Sequence, residues 1–313
     1  MRLGVSDSNA IFAKKQHQVK REIWTVSRDV SGACERLEIE DSPFVAKPPH
    51  SMTKKPRCSV LTIAGSDSGG AAGIQADLKT FAAFGAHGLS AIAAFTAQNL
   101  DSVLSIHRVP SHALEHQLQA LFAGFDIAAV KIGMLGSATN VTAVAATLRA
   151  MRARNVVLDP VLASTSGAAL LSARGVRALR EQLIPLADVL TPNLPEAEIL
   201  LGSSVHDVEA AARALRALGA RAVLLKGGHA RGRIVRDVLV DARGVEEFRH
   251  ARLAVRARGT GCVLSSAIAC GLAGGRSPRA AIAGAEEFLQ AALRASYRPT
   301  RGAQAVLDVF ANR

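Results

Sequence analysis

Residues 59–98 read SVLTIAGSDSGGAAGIQADLKTFAAFGAHGLSAIAAFTAQ, and the order of patterns inside them decides the fold. The run 59–64 is short, apolar and β-branched, which predicts a buried strand. Residues 72–84 carry Ile74, Leu78 and Phe81 at i, i+4 and i+7, the spacing of one helical face. A second strand is expected over 89–94. Parallel neighbours need a crossover, and a helix supplies it. Strand, glycine-rich turn, helix and strand in that order therefore announce a parallel sheet.

The alternation continues to the end of the chain. A helix is expected over 111–122 with Ser111 as its N-cap, then a strand over 128–132, a helix over 138–154 and a strand over 155–158. A helix over 172–186, a short strand at 189–190 and a helix over 208–218 closed by Gly219 follow. Residues 222–225 read as a strand, 235–241 with 245–248 as a hairpin, and 262–272 and 279–295 as helices. The expected fold is an α/β three-layer sandwich around a mostly parallel sheet. Residues 1–51 stand apart: they hold Trp24, mixed charges and Pro48-Pro49, with no sustained apolar period. They read either as a poorly ordered tail or as sequence preceding a true start at Met52, with 52–313 as the folded domain.

Composition narrows the function. The 313 residues are 49% hydrophobic and 20% charged, which excludes a mostly disordered chain. Aromatics are 4%, too few for a base-stacking platform. The net charge is +12; residues 213–313 hold 18 Lys/Arg against 7 Asp/Glu, and residues 52–212 hold 12 of each. That excess reads as a field for a phosphorylated ligand or as solvated helix faces. Without a helix-turn-helix or zinc pattern it does not indicate nucleic acid. Cys34, Cys58, Cys262 and Cys270 show no metal spacing, and no apolar segment follows Met1. The apolar stretch 81–97 is shorter than the ~20 residues of a membrane span. A cytoplasmic protein with reduced thiols and no membrane partner is expected.

In sheets of this kind ligands bind beyond the carboxyl ends of the strands, so the loops after strands carry the chemistry. The first, 65–73, reads GSDSGGAAG and is neither a Walker loop nor a dinucleotide fingerprint. Its glycines, starting at Gly65, permit close backbone approach, and Asp67 offers acceptors to a ligand hydroxyl or amine. Asp77 follows in the next helix, where it could equally complement the dipole. Gln98 offers an acceptor and two donors, a match for an aminopyrimidine edge or an amide. After the third strand, Gly133 permits close approach and Met134 offers a soft apolar wall. Asp159 ends a strand. Asn193 and Glu196 stand three apart at a helix start, suited to magnesium and also to a plain N-cap and first-turn acid. Lys226 precedes Gly227-Gly228-His229 and could reach a phosphate.

Arg258-Gly259-Thr260-Gly261-Cys262 runs directly into an apolar helix. Free N–H groups at such a helix start bind anions, so this is a phosphate loop by construction. The helix dipole and a nearby arginine are expected to favour the Cys262 thiolate, which could accept a proton from a substrate hydroxyl.

Taken together, TIAGSDSGGAAGIQADLKTFAAFGAHG, AQN, KIGML, VLDPV, TPNLPEAE, LLKGGH and GTGC resemble the ribokinase superfamily. Within it they are similar to the hydroxymethylpyrimidine/phosphomethylpyrimidine kinases of thiamine biosynthesis, over about residues 59–305. The resemblance implies the ribokinase-like α/β/α sandwich and a kinase using ATP and Mg2+. Such a kinase would phosphorylate 4-amino-5-hydroxymethyl-2-methylpyrimidine and then its monophosphate. It implies substrate binding by Gln98, Asp77, Gly65, Asp67 and Met134, and a catalytic loop of Gly259, Thr260, Gly261 and Cys262. Lys226, Asn193 and Thr260 would face the nucleotide, Glu196 and Asp159 the metal. A homodimer is implied too.

Arg258 stands where the family usually has histidine, and Ala71 replaces a frequent glycine. The runner-up is a pyridoxal/pyridoxine kinase on the same scaffold, and a non-catalytic ligand sensor is the reading from another class.

Overall fold

The alternation of strand and helix is realised in the computed structural model, which describes residues 57–163, 169–228, 232–299 and 304–311. The readings made for residues 1–51, Met52 and His229 lie outside these residues. Among them the strands are β1 (Ser59–Asp67), β2 (His87–Gln98), β3 (Val103–Arg108), β4 (Ile127–Ile132), β5 (Val156–Leu158), β6 (Val189–Leu190), β7 (Ala222–Leu225), β8 (Ile234–Asp241) and β9 (Gly244–Ala251). They form one sheet in the order β3-β2-β1-β4-β5-β6-β7-β8-β9. The six strands from β2 to β7 in that order are parallel. β3 at one edge and β8 and β9 at the other are antiparallel.

Successive residues of a strand face opposite sides of the sheet, and the core divides accordingly. Leu61 and Ile63 of β1 belong to one apolar cluster. Val60 belongs to the other. The first cluster packs under α2 (Ser111–Gly124), α3 (Ala138–Ala150), α4 (Ala173–Ala178), α5 (Leu194–Leu201) and α6 (Val208–Ala217). The second packs under α1 (Gly73–Ala83), α7 (Thr260–Ala273) and α8 (Pro278–Arg294). This is the expected three-layer α/β/α sandwich. A two-stranded parallel ribbon, β10 (Ala257–Arg258) with β11 (Ala305–Val306), lies at the start of α7.

Several boundaries differ from expectation for local reasons. β1 and β2 run on to Asp67 and Gln98, which brings the loop residues themselves into the sheet. β3 was not anticipated: VLSIHR is an edge strand with no fully buried residue, so its sequence carries little apolar signal. Pro110 is the N-cap of α2 and Ser111 its first residue. α3 stops at Ala150 because Arg152 and Asn155 take positive φ, of 49° and 56°. The helix expected over 172–186 begins as expected, with the Ser172 side chain accepting from Gly175 N–H. It then widens into a π turn over Leu179–Leu183 and tightens into a 3-10 turn over Ile184–Leu186 at Pro185. Between β9 and α7, only Ala257–Arg258 joins a ladder.

Part of the basic charge of the last third is paired with acids at the surface. Arg279 pairs with Asp241 and Glu246, and Arg236 and Arg249 both pair with Glu247. Arg258, 9% exposed, and Lys226 turn inward instead.

Candidate active site

The carboxyl ends of β1, β2, β4, β5 and β7 open into one cavity of about 590 Å³. Twelve of the thirteen residues singled out from the sequence line it; Asp77 alone does not.

The anion loop is the best-defined part. Gly259 caps α7 with φ +79°, a conformation that L side chains rarely adopt, and a Cβ there would collide with the Ala71 carbonyl oxygen. The two glycine-rich loops are thus packed backbone to backbone. No side chain caps the first turn of α7, which leaves its N–H groups to a ligand. A Cβ on Gly261 would lie 3.2 Å from Lys226 Nζ and 3.4 Å from Asp159 Oδ2. Loop, lysine and acid therefore converge on one point.

Lys226 Nζ donates to Asp159 Oδ1 at 2.9 Å, with the two side chains 14% and 3% exposed. The ammonium stays protonated because Asp159 and Glu196 raise its pKa against the cost of burial. Asn193 and Glu196 form a complete capping box on α5: Glu196 N–H donates to Asn193 Oδ1 at 2.9 Å and Asn193 N–H to Glu196 Oε2 at 2.8 Å. The structural and functional readings of this pair coincide, since the box holds Glu196 at the cavity wall. Burial, reinforced by Asp159, pushes the Glu196 carboxyl up to about 7 against the pull of Lys226. Two facing carboxylates, one of them hard to ionise alone, are oxygen donors of the kind a magnesium ion takes. The donor set fits that ion.

The neighbouring wall comes from β1, β2 and β4. Gly65 lies against Met134, so any side chain there would meet the thioether methyl. Gln98 is fixed by its backbone: its N–H donates to Ser68 Oγ, and that hydroxyl donates to its carbonyl. Its side chain lines the cavity.

Two expectations are corrected in their chemistry. Asp67 lines the cavity, but its carboxylate accepts from Gly69, Ala71 and Ala72 N–H. It organises its own loop, because three nearby donors satisfy it before any ligand arrives. Cys262 is the reverse of the expected thiolate. Burial pushes its thiol up to about 11, with Asp77 and Asp159 adding to the shift; Lys131 and the Gly73 N–H oppose it and lose. Desolvation of a buried sulfur outweighs the dipole.

Asp77 sits below the cavity floor, fully buried. Its Oδ2 accepts from Thr62 Oγ1 at 2.6 Å and from Lys131 Nζ at 2.8 Å, and its Oδ1 from Ser266 Oγ at 2.8 Å. It ties α1 to β1, β4 and α7. Lys131 was missed by sequence reasoning. It is buried, lines the cavity and stays charged, since Asp77, Cys262 and Asp159 outweigh desolvation and raise its pKa. A lysine inside an otherwise apolar strand, IAAVKI, was the available signal.

A family model described as Phosphomethylpyrimidine kinase matches residues 67–307. The chain is 47% identical over 260 residues to the thiamine biosynthesis bifunctional protein ThiED of Geobacter sulfurreducens, covering 82% of this chain and 53% of that protein. It is 46% identical over 243 residues to the hydroxymethylpyrimidine/phosphomethylpyrimidine kinase of Rhizobium meliloti, covering 76% of this chain and 91% of the relative. It thus spans about half the length of the first and about nine-tenths of the second. Among solved structures, an ADP complex of Bacillus subtilis pyridoxal kinase superposes with a TM-score of 0.76 at 34% identity, over 82% of this chain and 98% of that one.

Proposed function

The chain belongs to the phosphomethylpyrimidine kinase family, and from that premise we propose that it transfers phosphoryl groups from ATP to hydroxymethylpyrimidine and then to its monophosphate, in thiamine biosynthesis. One observation carries the reading. The uncapped start of α7 faces Lys226 and Asp159 across Gly261, within the cavity that Gln98, Gly65 and Met134 also line. Phosphoryl transfer asks for positioning and charge neutralisation more than covalent chemistry, and this arrangement supplies both.

The N–H groups of residues 260–262 and the Lys226 ammonium would bind the moving phosphoryl group, with Arg258 adding charge at the cavity wall. Asp159 and Glu196 would hold a magnesium ion, whose chemistry is neutralisation of nucleotide phosphate oxygens. Gln98 would pair with the pyrimidine edge while Met134 and Gly65 close on the ring. The hydroxyl oxygen forms the new bond to phosphorus as the bond to the ADP leaving group breaks. Cys262 accepts the hydroxyl proton in its minor thiolate form. The free thiols of Cys58, Cys262 and Cys270 support a reducing, cytoplasmic setting. No helix among the described residues is long and apolar enough to cross a membrane. The family resemblance supports a homodimer, which light scattering would test.

Pyridoxal is the second substrate to consider, because the solved pyridoxal kinase shares the fold at 34% identity. Incubation with magnesium-ATP and either substrate, followed by mass spectrometry, separates the readings. Two phosphates added in sequence to the pyrimidine support the proposal. One phosphate on pyridoxal and none on the pyrimidine would replace it.

A further inference from the structure

The hairpin of β8 and β9 packs against α8, and a second group of ionisable side chains meets there, apart from the cavity just described. Asp237 of β8, His250 of β9 and Glu286 of α8 each offer one ligand atom, and these atoms all lie within 4.8 Å of one another. Asp237 is 4% exposed and Glu286 6%. His250 Nδ1 is 3.9 Å from Glu286 Oε2.

A second observation is independent of that clustering. Both carboxylate oxygens of Glu286 are buried with no N–H or hydroxyl donor, and they face the Asp237 carboxylate; burial and that neighbour push the Glu286 carboxyl up to about 9. Buried carboxylates ordinarily have donors or a cation, because desolvation of an unmatched charge is costly. A separate pocket of about 400 Å³ is lined by His250 and Glu286, which gives an ion an entry path and room for water ligands. Of the two arginines that line this pocket, Arg249 pairs with Glu247, and Arg294 makes no ion pair with Glu286 among the described residues.

We propose that Asp237, His250 and Glu286 form a binding site for a divalent transition-metal ion, with Zn2+ the best match. One imidazole with two carboxylates suits Zn2+ better than Mg2+ or Ca2+, which take oxygen ligands. Three protein ligands leave a position for water. The site also reaches toward the active centre: Asp237 accepts from the backbone N–H of Gly227, next to Lys226. A bound ion would fix the orientation of that carboxylate and with it the loop that carries the lysine.

The test uses untagged full-length protein stripped with a chelator, then titrated with Zn2+ by calorimetry and with Co2+ by visible absorption. Glu196→Gln weakens the magnesium site, whereas Glu286→Gln removes one proposed ligand and keeps its shape. His250→Ala is the second ligand variant, should Glu286→Gln not fold. Wild type and Glu196→Gln should each take up one ion at the cluster and melt at higher temperature with Zn2+. Glu286→Gln and His250→Ala should lose at least tenfold in affinity together with the thermal shift. Equal binding in the ligand variants, or none in Glu196→Gln, would overturn the proposal. The latter result, with a Glu286→Gln variant as stable as wild type, would mean that Asp237 and Glu286 share a proton instead.

Discussion

At the scale of single residues, the proposed chemistry rests on Cys262 and Gln98. Since burial holds the Cys262 thiol near 11, its thiolate fraction rises about tenfold per pH unit below that value. Turnover limited by proton acceptance at this sulfur should therefore climb with pH through the neutral and mildly alkaline range. Cys262→Ser should reduce kcat by on the order of 10²-fold, flatten that climb and leave ATP affinity nearly unchanged. Steady-state kinetics across pH reads both effects, and wild-type rates in the serine variant would remove the role. Gln98→Ala should raise KM for the pyrimidine by about tenfold, the equivalent of one neutral hydrogen bond, and leave KM for ATP unchanged. Equal weakening of both substrates would show that Gln98 does not face the pyrimidine.

At the scale of elements, the site depends on contacts that hold strands and helices in register around it. The Lys131–Asp77 pair joins β4 to α1, and through Thr62 and Ser266 to β1 and α7. Removing one partner leaves a buried charge unmatched, while the partner's other hydrogen bonds soften the loss. Lys131→Met should destabilise by about 3 kcal/mol in denaturant unfolding, the low end for a broken buried pair. A double Asp77→Asn, Lys131→Met variant should recover part of that, because the charge disappears with its partner. On α5 the same side chains form the cap and line the cavity, which is why a local reading of Asn193 and Glu196 could not separate structure from function.

At the scale of the whole molecule, Arg57–Arg313 forms a compact unit with apolar clusters on both faces of one sheet. Every residue assigned to the cavity lies inside it. A chain of residues 52–313 should therefore fold with a melting temperature close to that of the full protein and keep its kcat. Calorimetry and the phosphorylation assay check this, and loss of either would give the first 51 residues a part in the site. The charge pattern also resolves at this scale. Arg236, Arg249 and Arg279 of the last third are paired on the hairpin and α8, whereas Lys226 and Arg258 turn into the cavity.

The sequence by itself determined the layer order, the parallel core of the sheet and the loops that bear the site. Hydrophobic periodicity and glycine placement are local signals, and they survive without knowledge of neighbours. Twelve cavity residues were legible because each stands at or just beyond the carboxyl end of a strand or at a helix start. Only the tertiary structure decided what those residues can do. It placed Asp77 beneath the floor, committed the Asp67 carboxylate to its own loop and held Cys262 as a thiol. It also brought Lys131 to the cavity and gathered Asp237, His250 and Glu286 from three elements. Burial and the identity of distant partners set protonation and hydrogen bonding, and neither is written in local spacing.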